Sequence, residues 1–113
     1  GWFMVVDKGD NPLNFVDPSG TAMFVYSIQR GVELGLLKAK EYTPVAYRGY
    51  QSLFPFIQVN DRGLLDVIGA CDGVVIKKNF VEYVTVPKIL NAKEAVAGIL
   101  WAAVIMETEQ LKK

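Results

Sequence analysis

Apolar positions along this chain follow a helical rhythm at both ends and a broken one between. From Asp17 to about Gly35, and again from Asn91 to Met106, apolar residues occupy nearly every side of a helical wheel. Ala22-Met23-Phe24-Val25-Tyr26-Ser27-Ile28 leaves almost no polar face in the first stretch. Ala95, Val96, Ile99, Leu100, Ala103, Val104 and Met106 fill most of the last one. A helix that is apolar all round is an internal helix. A third helical stretch carries Val45, Ala46, Tyr50, Leu53 and Phe54 with Arg48 and Gln51 among them. That alternation is amphipathic and predicts a helix with one wet side.

The punctuation sets provisional ends. Asp17 is placed to cap the first helix, because its carboxylate can accept from the first free backbone N–H groups. Pro18 suits the first helical position, where its missing N–H costs nothing. Thr43 and Pro44 repeat that chemistry and predict the start of the second helix, which Pro55 ends or kinks. Asn91 and Glu94 have capping-box spacing and predict the start of the last helix.

Residues 1–6 read as a short extended or buried segment, and Asp7 to Pro12 as a turn cluster. Asn60-Asp61-Arg62-Gly63 predicts a further turn. Two β-prone runs follow at Leu64–Ile68 and Val74–Ile76, with Asp72-Gly73 between them as a hairpin signal. Phe80 to Val86 is a third extended candidate, ended by Pro87. The fold class expected is mainly α, with three main helices and a short β-containing excursion between the second and third. No close internal repeat appears.

Composition narrows the function. The 113 residues suffice for one domain, and 51% of them are apolar, which requires a real core. Twelve basic and twelve acidic residues cancel, so no nucleic-acid surface is expected. No apolar run is long enough to cross a bilayer. The chain has no histidine, which removes Ser-His and Cys-His nucleophilic devices and the common His-containing zinc sites. Cys71 is the single cysteine and reads as a small buried hydrophobe. The start at Gly1-Trp2, without Met or a signal pattern, is what a cut end looks like.

Four stretches, in this order, resemble the C-terminal part of glycoside hydrolase families 88 and 105, the unsaturated glucuronyl and rhamnogalacturonyl hydrolases. They are Trp2-Phe3-Met4-Val5-Val6-Asp7-Lys8-Gly9-Asp10; Asp17-Pro18-Ser19-Gly20-Thr21-Ala22-Met23-Phe24-Val25-Tyr26; Gly31 to Leu36 followed by Tyr42-Thr43-Pro44-Val45-Ala46; and Gly69-Ala70-Cys71 with Tyr83 and Asn91 to Trp101. The resemblance implies a partial (α/α)6 toroid, a six-hairpin ring in which inner and outer helices alternate, with residues 1–113 as a C-terminal fragment of one catalytic domain. The two helices apolar all round would be inner helices. Met4 stands where the family commonly carries Gln, Asp17 where Glu is more usual, and Glu94 where many relatives carry His or Lys.

The resemblance also implies a chemistry. Substrates would be oligosaccharides ending in a 4,5-unsaturated uronic acid. An aspartic acid protonates the vinyl-ether carbon, water adds at the neighbouring carbon, and the hemiketal collapses to release the sugar. This differs from two-carboxylate displacement at an anomeric carbon. No metal or organic cofactor is implied. The family's catalytic aspartates and its Trp-x-Arg-x-x-x-Trp stretch precede the region matched here, so no catalytic residue is assigned in this chain, which should be inactive by itself.

Five residues are candidates to touch a sugar. Trp2 either stacks on a ring or is a core tryptophan. Ser19 and Thr21 sit at a helix N-terminus suited to a carboxylate, or simply cap it. Asn91 is a helix cap first and a cavity residue second. Lys93 faces a uronate or solvent. Asp66 and Asp72 are close in sequence, but turn stabilisation explains them better than an acid–base pair. The alternative reading is a free-standing helical interaction module or a carbohydrate-binding remnant of the barrel. In either reading, the apolar helices should self-associate or be covered by the missing part of the same domain.

Overall fold

The computed structural model describes residues 1–112. Its frame is three long helices: α1 (Pro18–Glu33), α2 (Ala39–Gln51) and α4 (Lys93–Leu111), with a short α3 (Phe80–Val84) between the last two. Two small antiparallel ribbons complete it, β1 (Ile57–Val59) with β2 (Leu65–Val67), and β3 (Ala70–Cys71) with β4 (Lys88–Ile89).

Contacts along the helices fix their directions. Gly49 of α2 lies against Val25, while Leu37, just before α2, lies against Gly31 at the far end of α1. The pair α1–α2 is therefore an antiparallel hairpin. On α4, Gly98 meets Ala22, Trp101 meets Tyr26, and Lys112 just beyond the helix reaches Glu33. So α1 and α4 run parallel, and α2 runs against both. Gly98 permits the close approach: a Cβ there would lie 3.2 Å from the Ala22 Cβ and 3.6 Å from the Ser19 carbonyl oxygen.

The core fills the angle between these three helices. Ala22, Val25, Ala46, Leu53, Ala102 and Met106 are buried there. Each fully buried large side chain contributes roughly 1.5–3 kcal/mol. Tyr50 closes the edge by donating from its hydroxyl to Glu107 Oε1 at 2.7 Å. The unit is nonetheless a slab of 42 × 38 × 22 Å. Its surface of 7325 Å² exceeds the about 6,200 Å² of a compact monomer of this mass.

The start of α1 matches the sequence reading. Asp17 is its N-cap and Pro18 its first residue, and the turn at Gly35 (φ 73°) ends it. Elsewhere the structure corrects the reading. The second helix starts at Ala39, not Thr43, and Pro44 lies inside it. Leu37 docked on Gly31 brings the chain in helical form four residues early. The Thr43 hydroxyl is buried without a partner and caps nothing. Pro44 and Lys40, whose carbonyl loses its helical N–H donor to the proline, are both exposed residues.

The turn at 60–63 is present, but it joins β1 to β2, in register Ile57 with Val67 and Val59 with Leu65. Asn60 organises it, accepting from the Arg62 and Leu64 N–H groups, each at 3.0 Å. Asp72-Gly73 makes no hairpin, and Val74–Ile76 is exposed chain. Phe80–Val84 is helical, not extended. Asn79 caps it by accepting from Glu82 N at 3.0 Å, and the Glu82 carboxylate accepts from Lys78 N at 3.1 Å. The Asn-x-x-Glu spacing thus works at Asn79.

At Asn91 it does not. The N-cap of α4 is Ala92, without a side-chain bond, and Asn91 stands one residue earlier at φ 56°. Its side chain is taken by β2 instead: Oδ1 accepts from Val67 N at 2.7 Å, and Nδ2 donates to Asp66 Oδ1 at 3.0 Å.

Candidate functional site at the N-terminal ends of the parallel helices

Because α1 and α4 are parallel, their N-terminal ends open on the same edge of the slab. That edge gathers all five residues singled out in the sequence. At α1, the Asp17 carboxylate accepts from Ser19 N (3.1 Å), Ser19 Oγ (2.9 Å) and Gly20 N (3.2 Å). The partial positive charge of the helix end is thereby met from within the chain. Ser19 keeps its hydroxyl oxygen as an acceptor on a half-buried surface.

Thr21 is fully buried, and its Oγ1 accepts from Trp2 N at 2.9 Å. This bond, with Asp17 N donating to the Trp2 carbonyl at 2.9 Å, straps the N-terminal arm across the start of α1. The Trp2 ring lies edge-on to Phe24, with centroids 5.3 Å apart. It occupies space that a Cβ on Gly49 would invade. Trp2 is therefore a partly buried wedge between α1 and α2, with its ring in the core and its backbone at the edge. At α4, Lys93 is the exposed first residue, and Asn91 ties that end to the β1–β2 ribbon.

Two open grooves descend from this edge. One, of ≈ 540 Å³, runs between α1 and α4 on the side away from α2, along Met23, Tyr26, Glu94 and Trp101. The other, of ≈ 690 Å³, lies between α4 and β1–β2 and includes Asn91, Lys93 and Leu100. Glu94 and Trp101 were absent from the sequence-based candidates. Their seven-residue spacing places them on one side of α4, which is the signal that finds them.

Lys88 was absent too. Its Nζ lies 3.9 Å from the Phe15 ring centroid, a cation–π contact no sequence spacing announces. Lys88 pairs with Cys71 across β3–β4. Burial pushes the Cys71 thiol up, Asp17 adds to this, and Lys88 opposes it. The thiol is thus a protonated, buried group near the cap of α1.

Asp66 is held by two amides, from Asn60 at 3.2 Å and Asn91 at 3.0 Å, and serves the ribbon. Among the described residues no three His, Cys, Asp or Glu side chains are grouped to hold a metal, and no helix is long and apolar enough to cross a membrane. What this edge offers is positioning: hydroxyl, lysine and aromatic groups around a groove.

Two parallel helices with an antiparallel helix packed behind them, and polar residues at one shared end, fit one sector of a ring of helical hairpins. The match to solved structures agrees. A glycoside hydrolase from family 105 of C. acetobutylicum ATCC 824 superimposes with a TM-score of 0.85 at 27% identity, over 95% of this chain and 31% of that one. The chain thus spans about a third of the solved structure it matches. The family model for Glycosyl Hydrolase Family 88 matches residues 1–110, and the chain belongs to that family.

Proposed function

We propose that this chain is the C-terminal part of a single toroidal catalytic domain that hydrolyses unsaturated uronyl oligosaccharides by hydrating their vinyl ether, and that alone it is inactive. The observation that carries this reading is the shared N-terminal edge of α1 and α4. It supplies binding groups, and its cap carboxylate, Asp17, is engaged by Ser19 and Gly20, so the proton donor is expected on another sector of the ring. Family membership supports the glycosidase chemistry.

In this reading Ser19 and Lys93 reach the sugar directly. Lys93 meets the uronate carboxylate as a point charge. Trp2, Thr21 and Asn91 contribute to the substrate site by holding it: Trp2 and Thr21 lock the arm over α1, and Asn91 fixes the approach to α4. The substrate's anionic end is expected at Lys93 more than at the α1 terminus, because Asp17 already fills the donors there.

The test uses lyase-generated unsaturated disaccharides, followed by loss of their conjugated ultraviolet absorbance. The longest natural product of the reading frame is expected to bleach the signal, and this chain alone to leave it unchanged. Bleaching by the isolated chain, or none by the longest product, would overturn the proposal.

A further inference from the structure

The Asp72-Gly73 pair makes no hairpin and is exposed chain just after β3. That leaves a backbone able to attack its own side chain. The nitrogen of the residue after an aspartate can reach the side-chain Cγ and close a succinimide ring. Glycine in that place has no Cβ to obstruct the approach. A fold prevents the reaction by holding the nitrogen, the carboxyl or both in hydrogen bonds.

The chain has six aspartates, and the fold protects five of them. After Asp7, Lys8 N donates to the Val5 carbonyl at 3.1 Å, and after Asp10, Asn11 N donates to the Lys8 carbonyl at 3.1 Å. Asp17 is followed by Pro18, which has no N–H, and its carboxylate caps α1. After Asp61, Arg62 N donates to Asn60 Oδ1 at 3.0 Å. After Asp66, Val67 N donates to Asn91 Oδ1 at 2.7 Å, and the carboxylate is itself held by Asn60 and Asn91.

Asp72 is the exception. Among the described residues nothing accepts from the Gly73 N–H, and the Asp72 carboxylate has neither a hydrogen-bond nor an ion-pair partner. Both residues are exposed, and so is the Val74–Ile76 run that follows.

We propose that Asp72 is a site of spontaneous isoaspartate formation. The Gly73 nitrogen bonds to the Asp72 Cγ, and the carboxyl OH leaves with the amide proton as water, giving the succinimide. Water then reopens the ring at the Asp72 α-carbonyl. The water lost in the first step is regained in the second, and nothing is oxidised or reduced. The main chain afterwards runs through Cβ and Cγ, one methylene longer, with the α-carboxylate as a branch. The lengthened turn lies beside α4, since a Cβ on Gly73 would stand 3.8 Å from Glu94 Oε1. The modification needs no sugar and is independent of the glycosidase reaction.

The experiment ages the longest natural product of the reading frame for several weeks in neutral buffer, folded and in urea. Isoaspartate is measured by methyl transfer from labelled S-adenosylmethionine with an isoaspartyl methyltransferase. It is located in the tryptic peptide 63–77, which carries both Asp66 and Asp72. In the folded protein the label at Asp72 should exceed that at Asp66 about ten-fold. The rate at Asp72 should stay within about three-fold of that in urea, since a turn already open has no unfolding to wait for. Asp72→Glu, whose longer side chain would have to close a larger ring, should remove the label from this peptide.

Equal label at Asp66 and Asp72 in the folded protein would overturn the proposal. So would a rate at Asp72 that folding slows beyond that margin, or label that survives Asp72→Glu.

Discussion

The two sides of α1 and α4 are equally apolar and meet opposite fates. On the side closed by α2, Ala22, Val25, Ala102 and Met106 are sealed with Leu53 at 0–1% exposure. On the open side Met23, Leu100, Trp101 and Val104 remain 47–68% exposed. Residue type does not separate the two sets. What separates them is a neighbour: α2 returns along α1 after a tight turn at Gly35 and covers one angle only. The comparison teaches that hydropathy states how much surface needs cover, while topology states which part gets it. The excess of surface over that of a compact monomer is the imprint of the open side.

Substitutions on the two sides should therefore differ sharply. Leu53→Ala, at the centre of the closed side, should cost about 3 kcal/mol in urea unfolding. A loss below about 1 kcal/mol would mean that this angle is not the core. Asn91→Ala should come next at about 2 kcal/mol, because it loses the bonds to Val67 and Asp66 and leaves a Cβ residue at positive φ. Asn91→Gly should recover about half of that, since the backbone term vanishes. If the two variants unfold alike, the left-handed backbone is not part of the cost.

Tyr50→Phe tests the rim of the closed side and should cost about 1 kcal/mol near neutral pH. Burial, and then the bonded Glu107 carboxylate, push the Tyr50 phenol from 10.0 up to about 12. The folded chain thus holds this proton more tightly than the unfolded one. The resulting stability is complete below pH 10 and is lost as pH rises to about 12. The difference in stability between parent and Tyr50→Phe should shrink across that window, and a constant difference would break the assignment.

On the open side the smallest effect is expected: Leu100→Ala should stay within about 0.5 kcal/mol. The same surface should govern association. Leu100→Glu combined with Val104→Glu should shift sedimentation of the isolated chain toward the monomer with unfolding unchanged. A parent chain already monomeric at all concentrations would show that the open side needs no cover.

Much of this architecture was legible because it is local. The Asp17 cap and its acceptors, Ser19 and Gly20, lie within three residues. The turn at Asn60 is equally self-contained, through Arg62 and Leu64. The candidate site was legible in part: Ser19 and Lys93 lie at the shared edge with exposed or half-buried side chains, and Trp2 and Thr21 proved to be joined across nineteen residues. Lys88 escaped because its setting comes from Phe15, remote in sequence.

The sequence by itself determined three helical stretches, two of them apolar all round, and the start of the first, since each depends on neighbours within a turn. Only the tertiary structure decided that Asn91 would serve a strand 24 residues away instead of capping α4, and that Pro44 would fall inside a helix. A carboxamide can satisfy one set of partners at a time, and a chain already docked at Leu37 enters its helix where packing places it. It also decided that α1 and α4 run parallel, which alone brings their starts together at one edge.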